Sequence, residues 1–144
     1  MEEAGSDTPG NSGSAETYET WIPLPGIAAR MNLAGLSHTD EGVRVLLQHQ
    51  VGEGRVLTLL FESPVANRNI NESYRLRTWN RLGEHERSSL LRVHHSDWVE
   101  WLRREAGGVL DAVTLHHYAI FTDEDCVELV TEFPPRVAVS DRSE

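Results

Sequence analysis

Hydrophobic and polar positions alternate along two neighbouring stretches in the first half of the chain. Across residues 42–50, Val43, Val45 and Leu47 share one face and Arg44 and Gln48 the other, the period-two pattern of a half-buried strand. Val51-Gly52-Glu53-Gly54 supplies a turn, and residues 55–62 return as a second strand. There Leu57, Leu59 and Phe61 line one face while Val56 and Leu60 make the other apolar, so burial on both sides is expected. Residues 88–95 read as another strand, after which the period lengthens. Ser96 caps a helix over 96–107 whose stripe is Trp98, Trp101 and Leu102, continued by Ala106. Glu100 and Arg104 are spaced to pair on its solvent side, Arg103 and Arg104 sit where the helix dipole favours cations, and Gly107-Gly108 ends it. Residues 112–122 and 126–133 then form a hairpin around Asp123-Glu124-Asp125. Val127, Leu129, Thr131 and Phe133 take one face of its second strand, Glu128 and Glu132 the other, and Pro134-Pro135 closes the element.

Three segments are less regular. Trp21-Ile22-Pro23-Leu24-Pro25-Gly26 cannot keep a ladder through two prolines, but Trp21, Ile22 and Leu24 are expected against the core. Residues 27–36 suggest a short helix ending near Gly35. Residues 71–82 allow two readings. Alternation of Tyr74, Leu76 and Thr78 suits a strand, whereas an Asn71 cap, the stripe Leu76, Trp79 and Leu82, and Gly83 past the end favour a helix. The expected class is α+β: a mainly antiparallel sheet of about five strands, packed by the amphipathic helix 96–107 and one or two further helices. One domain over 21–137 is expected, between a disordered acidic tail at 1–20 and a flexible tail at 138–144.

Composition narrows the function classes. A chain of 144 residues fits one domain on the usual length prior. The first twenty residues carry Glu2, Glu3, Asp7, Glu16 and Glu19 without a base or an apolar run, so they resemble no signal peptide. No stretch approaches the ~18–20 apolar residues that span a bilayer, and the lone Cys126 excludes an internal disulfide. A cytoplasmic protein is expected. Net charge is −10, unevenly spread. Residues 68–104 hold eight Arg against five acids, a local +3, and residues 121–133 hold five acids and no base, a local −5. Overall acidity argues against a nucleic-acid partner, which needs a positive surface. All thirteen bases are Arg; without Lys there is neither a Walker-type phosphate loop nor Schiff-base chemistry.

Histidines are the main candidate chemistry. Adjacent residues on a strand point to opposite faces, so if the strands carrying His94-His95 and His116-His117 are neighbours, one histidine from each pair can meet. Two such ligands fall short of the three or four that zinc requires, and Glu128, Asp111 and His49 lack a diagnostic spacing. His94-His95-Ser96 also fits one H-x-[ST] motif of the two-histidine phosphoesterases, but His116-His117-Tyr118 has Tyr at the hydroxyl position, and the repeated halves are absent. Cys126 sits among acids that would raise its pKa, the wrong direction for a nucleophile. Neither G-x-S-x-G nor G-x-G-x-x-G occurs. Trp98 and Trp101 read as core. No catalytic residue, cofactor or metal is assigned.

Residues 56–137 resemble small bacterial proteins of the toxin-immunity type. The resemblance is carried by Asn71-Glu72-Ser73-Tyr74-Arg75-Leu76, by Val93-His94-His95-Ser96-Asp97-Trp98-Val99-Glu100-Trp101, and by the run from His116 to Leu129 with Pro134-Pro135 after it. It implies a cytoplasmic, non-enzymatic protein that blocks a toxin by direct contact. Acidity suggests a basic partner, met by Asp123, Glu124, Asp125, Glu128 and Glu132. The alternative is a small enzyme or metal-dependent hydrolase using His94 or His95 with His116 or His117.

Overall fold

The computed structural model describes residues 15–27, 29–49 and 55–141, and among them nine antiparallel strands form two sheets. In chain order they are β1 (Thr17–Thr20), β2 (Met31–Thr39), β3 (Gly42–His49), β4 (Arg55–Phe61), β5 (Ala66–Asn71), β6 (Leu90–His94), β7 (His116–Phe121), β8 (Asp125–Thr131) and β9 (Arg136–Asp141). Helix α1 (Leu76–Leu82) separates β5 from β6, and α2 (Asp97–Glu105) separates β6 from β7. One sheet has the order β9-β4-β3-β2 and the other β1-β6-β7-β8-β5. The fold is α+β.

The alternation read from the sequence sets the packing. Val43, Val45 and Leu47 from β3 and Leu57, Leu59 and Phe61 from β4 meet Leu90, Tyr118, Ile120, Val127 and Leu129 from the five-stranded sheet in one buried cluster. Tyr118 lies edge-on between Trp21 (ring centroids 4.9 Å apart) and Phe61 (5.5 Å). The opposite face of the five-stranded sheet buries Leu91, Val93, Ala119, Phe121 and Cys126 under Leu82 of α1, with Tyr18 and Trp79 packed at the margin. β7 and β8 are therefore covered on both sides, which explains their long apolar runs. No helix among the described residues is long and apolar enough to cross a membrane.

Several expectations need correction. The described residues of 27–36 hold no helix: Met31–Thr39 is an edge strand paired along β3, and Gly35 marks a register shift in that ladder, not a helix end. Thr17–Thr20 is no tail but pairs with β6, and Arg136–Asp141 continues past the prolines to pair with β4. Cross-strand partners distant in sequence recruited both segments, which local composition cannot reveal. The rest of the N-terminal tail up to residue 14, the turn at 51–54 and residues 142–144 lie outside the described residues. Only one face of β4 is fully buried, Val56 and Leu60 being half-exposed. Ile22 and Phe133 are solvent-exposed.

The helix reading of 71–82 holds in a shorter form. The Asn71 side chain accepts from Ser73 N (2.9 Å) at the start of a single 3₁₀ turn, α1 follows, and Gly83 stands at its C-cap. In α2 the Ser96 cap is as expected, but Val99 is the buried residue, whereas Trp101 is 49% exposed and Trp98 half-buried. No ion pair joins Glu100 to Arg104, both described; Arg103 instead donates to the carbonyls of Leu110 and Val113 beyond the helix end. Ser89 ties the two sheets together, its hydroxyl accepting from Met31 N at 2.9 Å.

Gly42 opens β3 at φ +125°, and a Cβ there would stand 2.2 Å from the Phe61 carbonyl oxygen. Gly42→Ala is therefore expected to lower unfolding free energy by about 3 kcal/mol or more. Gly107 also has positive φ (+62°) but open space around it, so Gly107→Ala should cost only about 1 kcal/mol. Urea titration of both variants checks the difference, and equal losses would contradict it.

Candidate functional site

Strand parity decides where the charges of the β7–β8 hairpin go. Val127 and Leu129 face the sheet interface, so Glu128 must face the helices, where it is 2% exposed. A carboxylate buried this deeply needs compensation. Arg68 lies directly across from it in the β5–β8 register and donates twice, Nε to Oε2 at 3.0 Å and NH2 to Oε1 at 3.1 Å. Arg75, between the 3₁₀ turn and α1, adds a close contact to Oε2. His117 on β7 bonds Oε1 through Nε2 at 2.7 Å. Burial by itself would push the Glu128 carboxyl up, but the bonds from His117 and Arg68 and the charge beside it hold it down at about 2.

The network continues into α2. His117 Nδ1 lies 2.7 Å from Ser96 Oγ, which also accepts from Val99 N at 3.1 Å as the helix cap. One assignment satisfies every atom: Ser96 donates to Nδ1, and Nε2–H donates to Glu128. Ser96, His117 and Glu128 have the residue types of a nucleophile–base–acid relay. However, Ser96 is 6% exposed and its oxygen serves the helix cap, so the relay fixes α2 to the sheet instead of presenting a nucleophile. Cys126 is likewise unsuited to attack, its thiol pushed up to about 12 by burial, with Arg75 opposing and Glu128, Glu72 and Asp125 adding to the rise.

Above this network an open groove of about 830 Å³ runs between the α1 region and α2. Arg68 stacks 4.2 Å from the Trp98 ring centroid, and Trp98 meets His117 edge-on at 5.3 Å. Tyr74 (81% exposed), Leu76 (68%) and Trp101 stand around it, with Arg77 and Arg81 beside them. Glu16 closes one end, its carboxylate 3.5 Å from Arg81 NH1 and accepting from Asp97 N (2.9 Å) and from the Tyr18 hydroxyl (3.0 Å). Four arginines against Glu16, Asp97 and the buried Glu128 leave the groove one charge positive in a protein of charge −10.

The predicted site residues separate. Glu128 cannot meet a partner, because it is enclosed by its own arginines and histidine. Asp123 is exposed but paired with Arg30, Glu124 is exposed, and Asp125 is half-buried in the turn, its N–H bonded to Thr122 Oγ1 at 3.1 Å. Glu132 is exposed beyond the other end of β8, so roughly 20 Å of strand separates it from the turn acids. They form no single acidic face. His94 bonds Glu19 (2.7 Å), His116 accepts from Arg92 (2.8 Å), His117 serves Glu128, and His95 sits exposed in the β6–α2 turn at φ +56°. Among the described residues no group of three or more His, Cys, Asp or Glu is placed to hold a metal. Sequence reasoning missed Arg68, Arg75 and Arg77, although the arginine excess over 68–104 was their signal. Comparison with family models, with curated proteins and with solved structures finds no match to the chain.

Because Glu128 titrates lower folded than unfolded, its contribution is complete above the ordinary carboxyl value and disappears as pH falls through the folded one. The fall from 4.5 to about 2 corresponds to about 3 kcal/mol, lost over that pH interval. Glu128→Gln should lower stability at neutral pH by about 3 kcal/mol, because the partly buried Arg68 and Arg75 would be left side by side without their counter-charge. It should also flatten that part of the acid limb. Denaturant midpoints measured from pH 7 to pH 2 on both proteins check this; parallel pH profiles would contradict it.

Proposed function

We propose that the protein works by binding in the cytoplasm, without making or breaking bonds, and that it neutralises a toxin by direct contact through the α1–α2 groove. One observation carries the choice of surface. The two stretches on which the resemblance to toxin-immunity proteins first rests are far apart in sequence, yet they line one groove: Ser73, Tyr74, Arg75 and Leu76 on one wall, Asp97, Trp98 and Trp101 on the other. Exposed Trp and Tyr beside Arg are the residue types that dominate protein–protein contacts, and solvent-facing aromatic surface of this kind favours a partner.

Charge specifies what that partner offers. Arg77 lines the groove with no ion-pair partner among the described residues, so a toxin segment supplying a carboxylate beside apolar side chains complements it. This differs from the basic partner that the acidity of the whole chain suggests. Local charge governs a contact because the field of exposed charges decays within about 8–10 Å in physiological salt.

Co-expression with the products of its neighbouring genes, in the native host, tests the reading. Protection of growth is expected for the wild type, with Trp101→Ala weakening the complex about 30-fold or more and Arg77→Glu acting in the same direction. Both side chains are exposed, so their loss should leave the melting temperature nearly unchanged. A complex that ignores both substitutions but is lost when Asp123, Glu124 and Asp125 are replaced would overturn the groove. Bound metal in purified protein that disappears in His116→Ala and His117→Ala would favour the hydrolase reading instead.

A further inference from the structure

We propose that β5, an edge strand of the five-stranded sheet, pairs with β5 of a second copy of this chain. The two strands run antiparallel about a twofold axis at Asn69 and join two five-stranded sheets into one. This contact is made by the strand edge and does not depend on the function proposed for the groove.

Hydrogen-bond parity decides what β5 leaves open. Glu72 N donates to Glu124 O at 3.1 Å, in step with the β5–β8 register, so Ile70 with Cys126 and Arg68 with Glu128 are the hydrogen-bonded pairs. The residues between them turn their backbone groups the other way. The N–H and C=O of Asn67 and Asn69 and the N–H of Asn71 therefore point out of the sheet's edge, with no partner among the described residues. Natural proteins blunt such edges with short strands, bulges, prolines or charges. Of the other edges, β1 spans four residues, and β2 has a register shift between Leu33 and Gly35. β9 follows directly on Pro134-Pro135 and carries Arg136 and Asp141 at its ends. β5 keeps one register over six residues, and its single charge, Arg68, is already bound to Glu128 in its own sheet.

Asparagine side chains select the occupant. Asn is depleted in strands, yet Asn67, Asn69 and Asn71 recur at every second position of β5, all exposed and on the face opposite Arg68. The Asn67 and Asn69 side chains bond no described residue, and Asn71 uses only Oδ1, on Ser73 N. A primary amide both donates and accepts, so a row of them complements a copy of itself. Charge then chooses the register. With the axis at Asn69, Asn69 faces its own counterpart, Asn67 faces Asn71 of the second copy, and Arg68 faces Ile70. The open N–H groups of Asn69 and Asn71 then meet the open carbonyls of Asn69 and Asn67. An axis at Arg68 would set two guanidiniums directly opposite each other, which is unfavourable. An axis at Ile70 would place Asn67 opposite Ser73, which has left the strand for the 3₁₀ turn.

Sedimentation of the full chain from about 1 µM to about 1 mM tests this, with hydrogen exchange to locate the contact. A reversible monomer–dimer equilibrium is expected, with a Kd on the order of 100 µM for so small an interface. Exchange at the Asn69 and Asn71 amides should slow as the dimer forms. Added salt should tighten it, because each copy carries a net charge of −10. Asn69→Pro removes the N–H at the axis but no bond to β8. It should weaken the dimer about 30-fold or more and leave the melting temperature nearly unchanged. If that variant does not fold, Asn69→Lys serves in its place by setting like charges across the axis. A monomer at every concentration, a dimer indifferent to these substitutions, a dimer that weakens with salt, or exchange slowed along β2 or β9 instead of β5 would each overturn the proposal. So would β5 amides that slow only when products of the neighbouring genes are present, which would assign the edge to a foreign strand.

Discussion

A single buried carboxylate organises the helix-bearing side of this protein. Glu128 sits where the sheet's parity leaves it no route to water, and its charge persists only because Arg68, Arg75 and His117 converge on it. Those three groups come from β5, from the linker into α1 and from β7. Through Ser96, His117 extends the same network to the N-terminus of α2. Five segments of chain are thus fixed relative to one another by one charge. A buried ion pair of this kind need not add net stability over an apolar core, but losing one member is severe, so it specifies an arrangement more than it strengthens one.

The groove depends on that arrangement. Its floor is the outer surface of the charge cluster, with Arg68 bonding Glu128 through Nε and NH2 while stacking on Trp98 above. Rigid aromatic and guanidinium groups lose little conformational freedom on contact, which suits them to recognition. The same cluster explains how an acidic protein presents a locally positive groove. One of its acids is consumed below the surface, and the arginines that consume it remain partly exposed above.

On the other face the five-stranded sheet meets the four-stranded one through apolar side chains alone at its centre, with Ser89 supplying a polar tie at the margin. The middle strands β7 and β8 are hydrophobic on both faces apart from His116, His117, Asp125, Glu128 and Thr131. Stability and specificity are therefore divided between the sheet's two faces, apolar burial on one and charge compensation on the other.

Periodicity made the central strands, the cap at Ser96 and the helix near 71–82 legible, because each rests on contacts within a few residues. The sequence also determined the excess of arginine over 68–104 and the absence of lysine. It could not place β1, β2 and β9, whose strand character comes from partners distant in the chain, nor show that Trp101 lies outside the core. Glu128 is the clearest case. Read along the strand it was an acid on the polar face of a hairpin, equivalent to Glu132. Only the covering of that face by α1, α2 and β5 made one of the two a buried charge and left the other in water. Local sequence sets which way a side chain points; the tertiary structure alone decides what stands in front of it.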